Sequence, residues 1–159
     1  MHPFYTGDHM AGHKTLFDSG ARAELLRRME SIPPDRRPLW GKMNTGHMLA
    51  HVNASLAMAT GELPTEPKKS PLANPLMRWL VIYVMPWPKG TPTAPELLAT
   101  PPGEWAADLV QFRAQLERAG ARSPGGDWPR HPVFGQMKGK HWGVLVHKHL
   151  DHHLRQFGA

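Results

Sequence analysis

The residues best suited to chemistry lie together near the end of the chain, in His149-Leu150-Asp151-His152-His153-Leu154-Arg155-Gln156. On a helical wheel of about 100° per residue with His149 at zero, Trp142 falls near +20°, His153 near +40°, Leu145 near −40° and Gln156 near −20°. His149 and His153 therefore occupy the middle of an apolar stripe, one turn apart, and point inward. His152 falls on the inner margin and is the candidate catalytic residue, placed to act on a substrate or to hydrogen-bond a neighbouring imidazole. Gln156 also faces inward and can orient a ligand through a hydrogen bond. His147 falls on the opposite side of the wheel, as does Asp151, which is expected to face solvent, and Arg155 is expected to be a surface charge.

Inward imidazoles need partners for both ring nitrogens. A divalent metal satisfies one nitrogen of each, and spacing of four residues lets one helix present two ligands to one ion. Core histidines bonded to side chains or water would satisfy the same pattern, so the spacing alone leaves both explanations open. A third ligand has to come from elsewhere. His47 and His51 also stand one turn apart; His51 borders the stripe formed by Met48, Val52, Leu56 and Ala59, whereas His47 lies further toward solvent. His51 is the better ligand and His47 a surface or supporting residue. Three imidazoles suit zinc, nickel, iron or another first-row ion and leave coordination positions open for water or substrate.

Four helices must carry these residues. Asp18 or Ser19 caps a first helix through ARAELLRRMESI, which Pro33-Pro34 ends. Asn44 or Thr45 caps a second, running to Gly61. A third, EWAADLVQFRAQLERAG, sets Trp105, Leu109, Phe112 and Leu116 on one stripe. The fourth runs from about Lys140 to Phe157. Between them, ELPTEPKKSP and PKGTPTAPELLATPPG read as irregular proline-rich connectors. The loop over residues 121–138 is long enough to be a lid or a site wall, with Trp128–Phe134 shaping an entrance. Residues 72–87 are the most apolar stretch and predict a short buried helix or strand, or else an interfacial or dimer-forming segment. The expectation is an all-α four-helix bundle over residues 18–159, preceded by an arm over residues 1–17 in which His9 and His13 have no helical context.

Composition narrows the function. The chain has 159 residues, enough for one domain with its own core. It has no cysteine, which rules out disulfides, thiolate ligands and a cysteine nucleophile. The formal charge of +6 is scattered in pairs such as Arg27-Arg28, Arg36-Arg37 and Lys68-Lys69, so a solvated surface is expected and no nucleic-acid partner. Only an apolar run much shorter than the roughly 20 residues of a spanning helix is present, and the N-terminal sequence has no secretory pattern. A cytoplasmic protein is expected, without a membrane partner. No phosphate-cradling glycine loop and no serine nucleophile elbow occurs.

The blocks MLAHV and HLDHHLRQFG resemble the DinB-like superfamily of metal-binding four-helix bundles. Trp40–Met43, Leu80–Gly90, His131–Gly135 and Lys148–Gly158 resemble, in order, blocks of a bacterial subgroup of that superfamily, a domain family of unknown function. The resemblance implies an up-down-down-up bundle whose metal is held by one histidine of the second helix and the His-x-x-x-His pair of the last. Those positions are His51, His149 and His153 here. Relatives of this kind include thiol S-transferases and a thiol-dependent isomerase. For this chain the resemblance implies a metal-dependent enzyme that hydrolyses a small molecule or transfers a low-molecular-weight thiol. The rival expectation is a non-catalytic dimeric bundle with a structural or vestigial metal site.

Overall fold

Local sequence starts most of the helices in the computed structural model, which describes residues 12–91 and 93–159. Helix α1 (Ser19–Glu30) begins where the Asp18 carboxylate accepts a hydrogen bond from the Ala21 amide. Asn44 does the same for α2 (Thr45–Thr60), accepting from the His47 amide, and Gly61 ends it with φ of 85°. Asn74 caps and Pro75 opens α3 (Pro75–Trp79), which widens into a π-turn over Leu80–Val84. Pro95 opens the four-residue α4 (Pro95–Leu98). Helices α5 (Trp105–Gly120) and α6 (Gly139–Gln156) lack side-chain caps and rely on packing. No strand occurs among the described residues; the nearest approach is the bridge pair His131 and Gly135.

Side-chain pairs set the helix directions. Arg22 and Arg113 bond Glu117 and Glu30, so α1 and α5 run antiparallel. Asn53 donates to the Asp108 carbonyl and Arg122 to the Thr60 carbonyl, so α2 and α5 run parallel. His51 meets His149, while Trp40, just before α2, meets Gln156, so α2 and α6 run antiparallel. Leu16 meets Gly143 and Arg28 meets Asp151, so α1 and α6 run parallel. The four long helices thus run up, down, down, up and close a ring. Leu25, Met29, Met48, Leu56, Phe112, Leu116, Trp142 and Leu150 are fully buried at its centre. Large side chains of this kind each contribute roughly 1.5–3 kcal/mol on burial.

Three expectations change. Segment 12–17 of the N-terminal arm packs into the fold, with Leu16 fully buried against α6; His9 lies outside the described residues. The apolar stretch 72–87 is helical, but of its α3 and π-turn residues only Ile82 is buried. Leu76, Trp79, Val84 and Met85 stay exposed because the segment lies over the bundle rather than within it. The second proline-rich connector holds α4, whose Leu97 is buried against the core.

Candidate metal centre

Helices α2 and α6 pack antiparallel, so one residue of α2 meets two of α6. His51 Nε2 lies 3.0 Å from His149 Nε2, which lies 3.1 Å from His153 Nε2. One ligand nitrogen of each residue falls within 4.8 Å of the others. His51 and His153 are buried, and His149 keeps part of its ring open to an adjoining cavity. His47 is exposed and turned away, its Nδ1 2.8 Å from the Asn44 side chain.

Hydrogen bonds decide which nitrogen of His153 is free. The Trp40 carbonyl can only accept, so the Gln156 amide nitrogen must face it, at 3.0 Å. Gln156 Oε1 is then turned to His153 Nδ1 at 2.9 Å and accepts its proton. Nε2 of a neutral His153 is left with a lone pair directed at the other two histidines.

Three ring nitrogens this close cannot all be satisfied by one another. A ring nitrogen either donates or accepts, so His149 Nε2 cannot accept from His51 while donating to His153. Without an ion, a single N–H on His149 would have to be shared by both neighbours. A cation of first-row size, with ligand bonds of about 2.0–2.1 Å, sets neighbouring nitrogens roughly 2.9–3.4 Å apart, depending on the coordination angle, and uses all three lone pairs. His51 Nδ1 has no aligned hydrogen-bond partner. The Leu97 backbone beside it favours the protonated ring without completing a bond. The donor set, three imidazoles without carboxylate or thiolate, fits a divalent transition metal.

The electrostatics keep these rings neutral, the form that binds metal. Burial pushes His51 down to about 4. Burial, joined by the proximity of His51, pushes His153 down to about 3. His149 is held well below the ordinary histidine range by burial, with His153 and His51 adding repulsion. Raising a proton onto any of them places charge in a poorly solvated cluster.

The three histidines line a cavity of about 450 Å³. Trp87 packs against His149 at 5.1 Å between ring centroids, and His152 stands between Trp40 and Trp87 at 5.8 and 6.1 Å. Half-buried, His152 lines the cavity, with its basicity lowered by burial and partly restored by Asp151. The loop between α5 and α6 contributes Pro132, Val133, Phe134 and His131 to the wall. His131 was not singled out by spacing; its signals were a place in the long loop expected to form a wall and the block His131–Gly135 that resembles the family. Lys148 was missed as well. Its ammonium donates to the carbonyls of Val81 at 2.7 Å and Ile82 at 3.2 Å, and to that of Met85. It thereby fastens the end of the π-turn, and with it Trp87, over the centre.

Asp151 corrects the wheel. Far from standing free in solvent, it is half-buried between Arg28 of α1 at 2.7 Å and Arg155 at 2.9 Å. His147, on the same side, is buried as well. Helix α1 covers that face, which the wheel of one helix cannot reveal. Both belong to the packing of α1 on α6 rather than to the cavity.

No helix among the described residues is long and apolar enough to cross a membrane. No curated protein and no solved structure matches the chain. The family model of the DinB superfamily matches residues 19–157, so it takes in both helices of the histidine cluster, and the chain belongs to the DinB superfamily.

Proposed function

We propose that this chain is a divalent-metal-dependent, cytoplasmic enzyme acting on a small molecule by hydrolysis or by transfer of a low-molecular-weight thiol. His51, His149 and His153 hold the ion, which is zinc, nickel or iron. A bound ion of this kind supplies the Lewis acidity that makes a nucleophile of water or a thiol at neutral pH. Gln156 fixes His153 with its lone pair inward, and Trp87 and the loop around Phe134 limit water around the reacting groups. His152, at the cavity wall beside the cluster, is the residue in reach of substrate to accept or donate a proton.

One observation carries this reading: the Nε2 atoms of three histidines that line a cavity come together, and their hydrogen-bond demands are not met by one another. A purely structural site would be closed by a fourth side chain. The test is metal analysis of protein purified without an affinity tag, alongside His149→Ala. About one equivalent of metal in the parent and little in the variant supports the site. Metal-free parent protein whose melting temperature ignores chelators and added zinc sinks it.

The rival is a non-catalytic dimer with a structural or vestigial site, and the exposed Leu76, Trp79, Val84 and Met85 favour it. It predicts a dimer in sedimentation, with either no bound metal or a metal that offers no free coordination position to an added thiol. A monomer whose cobalt-substituted spectrum changes on adding a thiol supports the enzyme instead.

A further inference from the structure

The wall of the cavity is notable for what it leaves out. Among the described residues no aspartate or glutamate lines it. Two of its polar side chains are already committed: Ser55 donates to the His51 carbonyl at 2.9 Å, and Gln156 is held between His153 and Trp40. His131 is different.

Nδ1 of His131 lies 3.0 Å from the Val133 amide and 3.1 Å from the Phe134 amide. Both backbone N–H groups donate to it, so Nδ1 must present its lone pair. A neutral ring then carries its proton on Nε2. The turn is closed independently by two backbone bonds of 3.0 Å between His131 and Gly135. Gly135 has φ of 74°, a conformation that favours glycine. Phe134 and Trp142 pack the ring at 4.8 and 5.1 Å between centroids. Burial pushes His131 down to about 4, in keeping with a ring that stays neutral. Nε2 lies across the ring from the bonded edge and has no hydrogen-bond partner among the described residues, and the ring forms part of the cavity wall.

We propose that His131 is a ligand-binding residue whose Nε2–H donates to a carbonyl or carboxylate oxygen of a mostly apolar small molecule seated over the three histidines. This deepens the metal-enzyme reading and rests on it for treating the cavity as a substrate site. A rigid donor that cannot turn toward another protein group selects for an acceptor. The lack of acidic side chains removes repulsion against an anionic acceptor. Positive charge also stands at the rim, where Lys42 lines the wall and Lys89 sits 4.3 Å from the Trp40 ring. The substrate class these features select has an apolar body and at least one acceptor oxygen, and is not an amine.

The decisive variant is His131→Asn. Its Oδ1 takes the place of Nδ1 and still accepts from the two loop amides, while nothing reaches the former position of Nε2. Imidazole ¹⁵N spectra read the tautomer, and His131 is expected to be protonated on Nε2. Three probes, 4-phenylbutyrate, 4-phenyl-2-butanone and butylbenzene, are titrated into parent and variant, each with zinc and after chelation. At least one oxygen-bearing probe is expected to bind the parent more tightly than butylbenzene. That probe is expected to lose about tenfold in the variant, with butylbenzene affinity and melting temperature little changed. Equal affinities in parent and variant, no preference for either oxygen-bearing probe, or a ring protonated on Nδ1 overturns the proposal. Should the dependence on His131 persist in protein that takes up no metal, the metal reading fails and the donor stands. Stoichiometric metal without that dependence fails the donor alone.

Discussion

Gln156 accepts the proton of His153 Nδ1 at 2.9 Å while its own amide donates to the Trp40 carbonyl at 3.0 Å. The two bonds form a relay in which a main-chain oxygen before α2 decides the tautomer of a histidine at the end of α6. It also ties both ends of the candidate centre together.

Gln156→Leu breaks this relay without touching a proposed ligand. Zinc affinity, measured by competition with a chromophoric chelator, is expected to fall about 10–100-fold. Gln156→Glu keeps an acceptor for Nδ1–H and is expected to retain most of the affinity, although it loses the bond to Trp40. Equal affinity in the parent and in Gln156→Leu would remove the relay from the account of the site.

Lys148 offers three N–H donors to three carbonyls at the end of the π-turn, and Lys148→Met leaves those carbonyls without a partner. The ammonium is only partly buried, so the loss is expected to be about 1–2 kcal/mol in urea unfolding. Hydrogen exchange should quicken over residues 80–87 and stay unchanged at the centre of α5. Uniform acceleration over the whole chain would show that Lys148 supports global stability rather than this segment.

The inward pair His149 and His153 was legible because a long amphipathic helix fixes direction through its period alone. His51 was legible for the same reason, at the edge of its own stripe. Asp151 was misread because a wheel reports direction but not what lies there, and α1 covers that side through Arg28. Helix α4 escaped notice because four residues are too few to show a period, and its prolines look like a connector until Pro95 is seen at its first turn. His131 depends on a turn closed by Gly135 and on two backbone amides. Neither leaves a trace in side-chain spacing.

Acid is expected to destabilise the metal-free protein in a defined window. Burial lowers His131 from 6.5 to about 4. Between those values the unfolded chain binds a proton that the folded ring refuses, so stability rises with pH across the window and is lost as pH falls through it. Above 6.5 the ring is neutral in both states and contributes no slope. At the acid end the loss from this one residue is up to about 3 kcal/mol. Urea unfolding as a function of pH checks this, and His131→Asn should give a shallower decline. The same slope in parent and variant would mean that the folded ring takes up its proton as readily as the unfolded one.

Gly143 is where the segment before α1 crosses α6. A Cβ there would stand 2.5 Å from both the Phe17 ring and the Thr15 hydroxyl, while the Gly143 carbonyl accepts from the Leu16 amide at 3.0 Å. The crossing is held from both sides, so Gly143→Ala cannot be absorbed by rotating one side chain. Phe17 meets Trp128 edge-on at 5.7 Å, and Trp128 stacks on Trp142 at 6.0 Å. Pressure on Phe17 therefore passes toward the loop that carries His131. The variant is expected to lose about 1–3 kcal/mol in urea unfolding through overpacking, despite alanine's better helix propensity. A double variant, Gly143→Ala with Phe17→Leu, removes part of the clash and should recover some of that loss. If the single variant instead gains stability, helix propensity outweighs the crossing, and residues 15–17 are a movable strap rather than part of the core.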